Sequence, residues 1–304
     1  MSSSGPLSPS LAPQIASACI HTSPLSDVQA PQTLHRIALL NTWFPSGVRP
    51  GTRILELGCG QGDTTAALAH LVGPTGHVTA LDPAPLDYGA PVTLGEAQSH
   101  LSKGVYGDRI TWVQAEVVEW PEALEGLKKG GKGEEEGFVF DAVVLAHSIW
   151  YMAGRDVLGK IFEGLRGKTG RVCVAEWSLQ ASVPSQFPHV FAALTRAALE
   201  AQRTGSEENI QSPLAPVAIK EVAEASGWRV GSESVITPGE GMMDGEWELG
   251  TVRAEGFFGD VERDVGDGRV REVVLSLRTA MMGALRAAGK EGVRSMDVWV
   301  ADFA

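Results

Sequence analysis

The stretch Ile54-Leu55-Glu56-Leu57-Gly58-Cys59-Gly60-Gln61-Gly62-Asp63 decides the fold. Its first part, together with Arg53, predicts a short buried strand over residues 53–57. A glycine-rich turn follows, and a ligand can approach its backbone closely because no side chain stands in the way. The helix predicted over residues 64–72 begins beside that turn with free backbone N–H groups. The stretch therefore predicts a strand, a ligand-binding turn and a helix in succession.

Strands and helices continue to alternate after this turn. The predicted strands are 53–57, 77–81, 110–114, 141–146, 171–175, 228–236 and 295–303. Helices are expected between them, for example over residues 94–103, where Thr93 and Glu96 have the spacing of a capping box. Such alternation is typical of a parallel sheet with helices on both faces. The predicted class is therefore α/β, with a doubly wound sheet.

Composition and length predict the organisation of the chain. Residues 1–13 contain five Ser, three Pro and one Gly, too little apolar surface to order the segment, so we predict a disordered tail over residues 1–26. Residues 27–304 are predicted to form a single domain. A helical insertion is expected at about 237–294, because a hairpin needs only a few residues there and residues 269–288 form an amphipathic pattern. The charged stretch 125–137 is interpreted as a solvated surface insertion.

The charge balance argues against several classes of partner. The 304 residues include 25 Lys+Arg and 37 Asp+Glu, a formal net charge of −12, whereas nucleic-acid binding needs a basic surplus on at least one face. No run of apolar residues is long enough to span a bilayer. Cys19, Cys59 and Cys173 are too scattered for a disulfide framework or a CxxC metal site. No secretory signal is predicted, because no Lys or Arg occurs before Arg36 and no long apolar stretch follows the start. We therefore expect a cytoplasmic protein that binds neither nucleic acid nor membrane.

Acidic residues follow the first strands at informative positions. Asp82 ends the second strand, 24 residues after Gly58, and an acid there can accept hydrogen bonds from two ribose hydroxyls. A dinucleotide site would use Gly-x-Gly-x-x-Gly to place a pyrophosphate on the helix N-terminus. In this chain Gly62 comes one position too early, and Asp63 adds negative charge where the pyrophosphate would lie. The turn therefore predicts a ligand with a ribose and without phosphate.

These residues together resemble a known family. The sequence Glu56-Leu57-Gly58-Cys59-Gly60-Gln61-Gly62 resembles motif I of the class I S-adenosylmethionine-dependent methyltransferases. Asp82 resembles the ribose-binding acid of that family, Ala115-Glu116 its adenine-contacting pair, and Phe140-Asp141-Ala142-Val143-Val144 its fourth strand. The resemblance covers about residues 35–236 and the final strand. It implies a Rossmann-like sheet of seven strands in the order 3-2-1-4-5-7-6, with strand seven antiparallel, and S-adenosyl-L-methionine as the cofactor.

The resemblance also implies roles for individual residues. Gly58 and Gly60 are expected to cradle the methionine part of the cofactor, and Glu56 to hold its ammonium group directly or through water. Asp82 is expected to bind the ribose hydroxyls. The pair Ala115 and Glu116 is assigned to the adenine, although Glu116 stands where an Asp is more usual. Ala146, which ends the fourth strand, is assigned to the same cofactor site.

Candidates for the acceptor side follow strands four and five, because ligands bind beyond the carboxyl ends of parallel strands. His147 is a candidate general base; alternatively it packs on the cofactor or bonds to backbone. Glu176 is a candidate proton acceptor or anchor for an amine; alternatively it forms a salt bridge at the pocket rim. Tyr88, Trp150 and Tyr151 are assigned to the substrate pocket, with a core position as the alternative for Trp150 and Tyr151.

The remaining histidines on predicted helices, namely His35, His100 and His189, lack a second motif residue nearby, and we expect them to be structural. No clustered pattern of metal ligands is present, so no metal is predicted. The sequence thus predicts methyl transfer by in-line displacement to a small organic acceptor, with oxygen slightly preferred over nitrogen because His147 offers a base. The alternatives are a protein methyltransferase and a non-methylating protein that retains the cofactor as a scaffold. No oligomeric state is predicted.

Overall fold

The computed structural model describes residues 5–24, 27–121, 140–205 and 208–304, so the predicted charged insertion at 125–137 lies outside the described residues. The strands are β1 (Arg53–Leu57), β2 (His77–Asp82), β3 (Ile110–Gln114), β4 (Ala142–Ala146), β5 (Val172–Trp177), β6 (Val230–Ile236) and β7 (Val298–Phe303). The helices are α1 (Ala12–Ala16), α2 (Gln29–Trp43), α3 (Asp63–Val72), α4 (Leu94–Lys103), α5 (Arg155–Leu165), α6 (Phe187–Glu200), α7 (Pro216–Ala225), α8 (Asp244–Arg253), α9 (Gly256–Asp264) and α10 (Gly268–Ala288).

The seven strands form one sheet in the order β3-β2-β1-β4-β5-β7-β6. The first five strands are paired in parallel, and β7 lies antiparallel between β5 and β6. This confirms the predicted doubly wound sheet and its strand order. The carboxyl ends of β1, β2, β4 and β5 consequently meet at one edge of the sheet, where ligands bind in such folds.

Each face of the sheet carries its own apolar core. Side chains alternate along β1, so Ile54 packs into the core that includes α2 and α3, while Leu55 and Leu57 pack into the core that includes α5 and α7. Glu56 shares the face of Ile54. The polar side chain of the glycine-rich motif therefore points toward α2 and α3, and this placement determines its partners.

The prediction of a disordered tail over residues 1–26 is wrong for residues 5–24. Residues 5–24 are described, a 3-10 turn at Pro9–Leu11 leads into α1, and Leu7 and Ile15 are buried. The backbone of Leu7 donates to Asn41 Oδ1 at 2.7 Å and accepts from Asn41 Nδ2 at 2.9 Å. The composition was misleading because a few apolar side chains, placed against α2 and α3, are enough to hold a short segment.

Three helices lie between β6 and β7, in the segment where we expected an insertion. Helices α8, α9 and α10 pack with α6 around a separate apolar cluster, which includes Leu199, Leu249 and Met281. Helix α8 also reaches back to α2, because Gln32 Nε2 donates to Asp244 Oδ2 at 2.9 Å. The segment therefore helps to cover the carboxyl edge of the sheet.

Candidate functional site

The glycine-rich turn after β1 requires glycine for two different reasons. Gly58, Gly60 and Gly62 have φ angles of +78°, +52° and +95°, a region that most L-residues avoid. A Cβ on Gly58 would lie 2.4 Å from Cβ of Ser148, so the turn after β4 leaves no room for it. A Cβ on Gly60 would meet nothing within 4 Å. Gly58 thus allows two turns to approach each other, and Gly60 leaves open space above the turn.

Asp82 is held at the end of β2 by backbone donors. Its Oδ2 accepts from the N–H of Gly60 at 2.7 Å, and its Oδ1 accepts from the N–H of Ala84 at 3.0 Å. Both bonds fix the carboxylate beside the open space at Gly60. Each oxygen has a second lone pair for a ligand, and the spacing of the two oxygens suits a pair of adjacent hydroxyls.

Glu56 is buried beneath the same turn, 2 % exposed. Its Oε2 accepts from the hydroxyl of Thr65 on α3 at 2.6 Å. Burial raises the pKa of Glu56 to about 8, against the lowering effects of Thr65 and of the Arg36 charge. The carboxyl is therefore poised to ionise when a cation, such as an ammonium group, lies beside it.

Arg36 on α2 is a functional candidate that the sequence reasoning missed. Its Nε and Nη1 are buried and have no hydrogen-bond partner within the described ranges. Burial raises the pKa of Glu56 and of Asp63, and the charge of Arg36 acts to lower both pKa values. A buried guanidinium with free donors can hold a carboxylate. The signal in the sequence was helical spacing: Gln32, His35 and Arg36 share a face of α2 that apolar residues would otherwise occupy.

The residues assigned to adenine follow β3. The N–H of Ala115 donates to the carbonyl of Asp82 at 3.2 Å, which places the turn after β3 directly beside the turn after β2. Glu116 is exposed there, and its carbonyl accepts from the N–H of Glu119 at 2.9 Å. Both residues thus lie at the same edge of the sheet as Asp82.

The loop after β2 folds over the glycine-rich turn. Gln61 Nε2 donates to the carbonyl of Val92 at 2.7 Å, which ties the loop to the turn. Tyr88, at the top of this loop, is 40 % exposed, and its hydroxyl donates to Asn209 Oδ1 at 3.1 Å. The loop therefore bridges the turn and the segment after α6, so Tyr88 covers the crevice from outside.

His147 lies directly after β4 in a left-handed conformation, with φ +56°. Such a conformation is unusual for a residue other than glycine and is frequent at functional sites. Its Nδ1 is 3.7 Å from Oε1 of Glu176, and its Nε2 is 3.0 Å from Nε2 of His35 on α2. Two candidates from the sequence, His147 and Glu176, are thus brought together, with a histidine that we expected to be structural.

Glu176 is a positioning residue for the turn after β4. It is 1 % exposed; its Oε2 accepts from the backbone N–H groups of Ile149 and Trp150, at 3.0 and 3.3 Å, and its Oε1 accepts from that of Trp177 at 2.9 Å. These donors stabilise the carboxylate. Its Oε1 also lies 3.7 Å from Nδ1 of His147, so the salt bridge that was the alternative for Glu176 has a partner, at a buried position.

The remaining pocket candidates differ in placement. Trp150 is 2 % exposed and donates through its indole N–H to the carbonyl of Leu214 at 3.1 Å, so it occupies the core position that was the alternative to the pocket. Tyr151 is 51 % exposed and lies near Asp244 and Glu248 of α8. Ala146 is half-buried at the end of β4.

The part of the chain that the structure describes contains no group of three or more His, Cys, Asp or Glu side chains able to hold a metal ion. In the same residues, no helix combines the length and the apolar character needed to cross a membrane.

Comparison with known proteins gives consistent matches. The family profile of protein-L-isoaspartate(D-aspartate) O-methyltransferase matches residues 21–86. Methyltransferase phomM' of Diaporthe leptostromiformis is 31 % identical over 281 residues, which cover 82 % of this chain and 72 % of the relative. A crystal structure of a cyclopropane-fatty-acyl-phospholipid synthase-like protein from Lactobacillus casei is 30 % identical, with a TM-score of 0.80, and the match covers 98 % of this chain and all of that one.

The ubiquinone/menaquinone biosynthesis C-methyltransferase UbiE of Ectopseudomonas mendocina gives a shorter match. It is 39 % identical over 88 residues, which cover 29 % of this chain and 32 % of the relative.

The fold, the glycine-rich turn and the carboxylate at the end of β2 define a Rossmann-like enzyme that uses S-adenosylmethionine. The chain belongs to the class I S-adenosylmethionine-dependent methyltransferases.

The residues present fit this cofactor. Gly60 leaves open space, Asp82 offers two carboxylate oxygens, and the buried guanidinium of Arg36 has free donors. When bound, S-adenosylmethionine supplies an electrophilic methyl group on a sulfonium.

Proposed function

We propose that this enzyme transfers the methyl group to a small organic acceptor, with oxygen slightly preferred over nitrogen as the acceptor atom. The observation that supports oxygen is the buried pairing of His147 with Glu176, whose nearest atoms are 3.7 Å apart, at the carboxyl ends of β4 and β5. A hydroxyl is a poor nucleophile until its proton is removed, and a histidine beside a carboxylate is suited to that task. The base lies at the edge of the sheet where the acceptor is expected.

The covered crevice supports a small acceptor. The crevice is covered by α2, by the loop around Tyr88 and by α8. A cavity of about 180 Å³ lies between α2 and the loop after β6, and His35 is among its lining residues. A protein acceptor would need an extended groove. The match to the isoaspartate methyltransferase profile ends at residue 86, so it covers the cofactor turn and Asp82 but none of the residues after β4.

Each part of the cofactor is assigned to particular residues of this chain. Arg36 holds the carboxylate of the methionine part, and Glu56 receives its ammonium group. Asp82 binds the ribose hydroxyls, while Gly58, Gly60 and Ala146 form the surrounding backbone. Ala115 and Glu116 flank the adenine. His147 and Glu176 belong to the machinery that removes the acceptor's proton.

An acceptor screen tests this proposal. The full chain is incubated with methyl-labelled S-adenosylmethionine and matched panels of small alcohols, phenols, carboxylic acids and amines, and products are identified by mass spectrometry. We expect O-methyl products from the wild type and a loss of about 100-fold or more in kcat for His147→Gln. His100→Gln, an exposed histidine on α4, serves as the control.

Products methylated only on nitrogen or carbon would contradict the oxygen preference. Labelled protein substrates without any small product would favour the protein methyltransferase alternative. Tight cofactor binding without S-adenosylhomocysteine formation across all panels would favour the scaffold alternative.

A further inference from the structure

A chain of three buried titratable residues extends from the sheet to the covering helix. Glu176 on β5 faces Nδ1 of His147, and Nε2 of His147 faces Nε2 of His35 on α2 at 3.0 Å. Glu176 and His35 are 1 % and 4 % exposed. Nδ1 of His35 is buried and has no hydrogen-bond partner in the described parts of the chain. Nδ1 of His147 also lacks a hydrogen-bond partner among these residues, but it lies 3.7 Å from Oε1 of Glu176, whereas Nδ1 of His35 lies on α2.

The electrostatics select one arrangement of protons. A 3.0 Å contact between two ring nitrogens needs one proton between them, and the carboxylate of Glu176 favours a proton on Nδ1 of His147. With that proton on Nδ1, Nε2 of His147 accepts from Nε2–H of His35. His35 is consequently left with an unprotonated Nδ1. The reverse arrangement would place a lone pair of His147 against the carboxylate.

The charges around His35 favour its neutral form. Burial lowers the pKa of His35 well below its ordinary value, and the neighbouring His147 and Arg36 lower it further. Glu176 faces the far side of His147. His189 on α6 lies beyond the ring of Trp177, which contacts His147. Asp244 on α8 lies near the start of α2, where it accepts from Gln32. At neutral pH His35 is thus neutral and its Nδ1 carries a lone pair. The same effects disfavour the imidazolium of His35, so a proton taken by Nδ1 has to be matched by transfer of the Nε2 proton to His147.

We propose that Nδ1 of His35, and not His147, is the atom that takes the proton from the acceptor, with His147 and Glu176 as its relay; this inference rests on the proposed function. Nε2 of His147 is bonded to His35, and its Nδ1, although without a hydrogen bond, lies against the Glu176 carboxylate. His35 also lines the cavity between α2 and the loop after β6, together with Pro31, Leu34, Ile236 and Pro238. A small acceptor with an apolar body and one hydroxyl suits that lining.

The proposed step balances in atoms and electrons. The acceptor hydroxyl gives its proton to Nδ1 of His35 while its oxygen lone pair forms a bond to the methyl carbon. The carbon–sulfur bond breaks, and its electron pair stays on sulfur, which leaves S-adenosylhomocysteine. The Nε2 proton of His35 moves to Nε2 of His147, whose imidazolium is then stabilised by the Glu176 carboxylate. The products are the methyl ether, S-adenosylhomocysteine and one proton held by the relay.

His189, another buried histidine nearby, does not offer an unprotonated Nδ1 without a hydrogen-bond partner. Its Nδ1 accepts from the backbone N–H of Met296 at 2.9 Å, so its proton is on Nε2. His189 therefore presents a donor where His35 presents an acceptor. This difference provides an internal reference for an experiment.

NMR spectra of the full chain with ¹⁵N-labelled histidine test the arrangement of protons without any acceptor. We expect Nε2–H with a bare Nδ1 for His35, Nδ1–H for His147 and Nε2–H for His189, assigned from the variants His35→Gln, His147→Gln and His189→Gln. A proton on Nδ1 of His35 at neutral pH, whether as the other tautomer or as the imidazolium, would overturn the inference.

Kinetics with a hydroxyl acceptor from the screen test the role. His35→Gln keeps an amide donor near His147 but removes the base, so kcat should fall about 10²- to 10⁴-fold, while the Kd for S-adenosylmethionine measured by calorimetry stays within twofold. The double variant with His147→Gln should be no slower than either single variant, because the residues act as a unit. His100→Gln is the control.

Wild-type kcat in His35→Gln would overturn the inference even if its tautomer is as expected. If the wild type methylates no hydroxyl acceptor, the proposed function fails and the role of His35 fails with it. An inverted tautomer in an enzyme that makes O-methyl products overturns the His35 role alone.

Discussion

The backbone N–H of Gly60 donates to Oδ2 of Asp82 at 2.7 Å, so the glycine-rich turn after β1 and the acid at the end of β2 form one rigid unit. The two residues are 22 positions apart in sequence and meet because β1 and β2 are parallel neighbours. This bond also orients the other carboxylate oxygen, which the N–H of Ala84 holds. We propose that this preorganised carboxylate binds the ribose part of the cofactor.

Removal of this carboxylate should weaken cofactor binding. For Asp82→Ala we expect the Kd of S-adenosylmethionine to rise at least tenfold, because hydrogen bonds to a charged group contribute about 1.5–3 kcal/mol and about 1.4 kcal/mol corresponds to tenfold. Calorimetry measures the change. Asp156→Asn, on the exposed side of α5, is the control. An unchanged Kd in Asp82→Ala would contradict the assignment.

A methyl group on Gly60 should block the open space above the turn. Gly51 offers a matched control, because it also has a positive φ, +82°, and nothing within 4 Å of a built Cβ, but it precedes β1. Both Gly60→Ala and Gly51→Ala should lose about 1–2 kcal/mol of stability from the strained backbone. Only Gly60→Ala should lose cofactor affinity, by tenfold or more in calorimetry. Equal affinities in both variants would mean that the space does not hold the cofactor.

Replacement of Arg36 should separate cofactor binding from folding. Arg36→Gln keeps polar contacts but removes the charge, and we expect the Kd of S-adenosylmethionine to rise about tenfold or more because an ion pair with the cofactor carboxylate is lost. The Kd of a cofactor analogue without that carboxylate should differ little between the wild type and the variant. Arg155→Gln, in an exposed pair with Glu221, is the control. A similar loss for both ligands would indicate a structural role.

The raised pKa of Glu56 predicts how stability depends on pH. Its pKa is about 8 in the folded chain and about 4.3 in the unfolded chain, so between these values the folded state binds the extra proton. The contribution of Glu56 to the free energy of unfolding is therefore fully present below about pH 4 and is lost as the pH rises through about 8. The slope is at most about 1.4 kcal/mol per pH unit.

Urea unfolding of the ligand-free protein at pH 5.5, 6.5 and 7.5 measures this slope. Glu56→Gln should have a shallower slope than the wild type, whereas Glu262→Gln, exposed on α9, should keep it. Burial also raises the pKa of Asp63, so part of the slope should persist in Glu56→Gln. Identical slopes in the wild type and Glu56→Gln would show that Glu56 is ionised when folded.

The ordered N-terminal segment can be tested by a core substitution. Ile15→Ala should lower the free energy of unfolding by about 2–4 kcal/mol, because the side chain is fully buried and leaves a cavity. Gln14→Ala, exposed in the same short helix, should change it by less than about 0.5 kcal/mol. Denaturant unfolding measures both. A negligible effect of Ile15→Ala would mean that the segment is not part of the folded core.

Local patterns in the sequence were enough to predict the sheet and the position of the glycine-rich turn. Strand and helix periods alternate, Gly58 and Gly60 follow a buried strand, and Asp82 ends the next one, so neighbouring parallel strands bring them together at one edge. The capping box of Thr93 and Glu96 was likewise readable, and both of its hydrogen bonds are present. These features depend on short-range spacing and on the general rule for parallel strands, which a single sequence contains.

Tertiary structure alone decided which polar side chains work together. Arg36 and His35 lie on one helix, and no pattern in the sequence shows that this helix packs over Glu56 and His147. Trp150 belongs to the core and residues 5–24 are ordered for the same reason: burial depends on which distant surfaces meet, and not on local composition. The sequence determined where the glycine-rich turn is, whereas the packing of α2 on the sheet determined that the guanidinium of Arg36 and Nδ1 of His35 are buried without hydrogen-bond partners among the described residues.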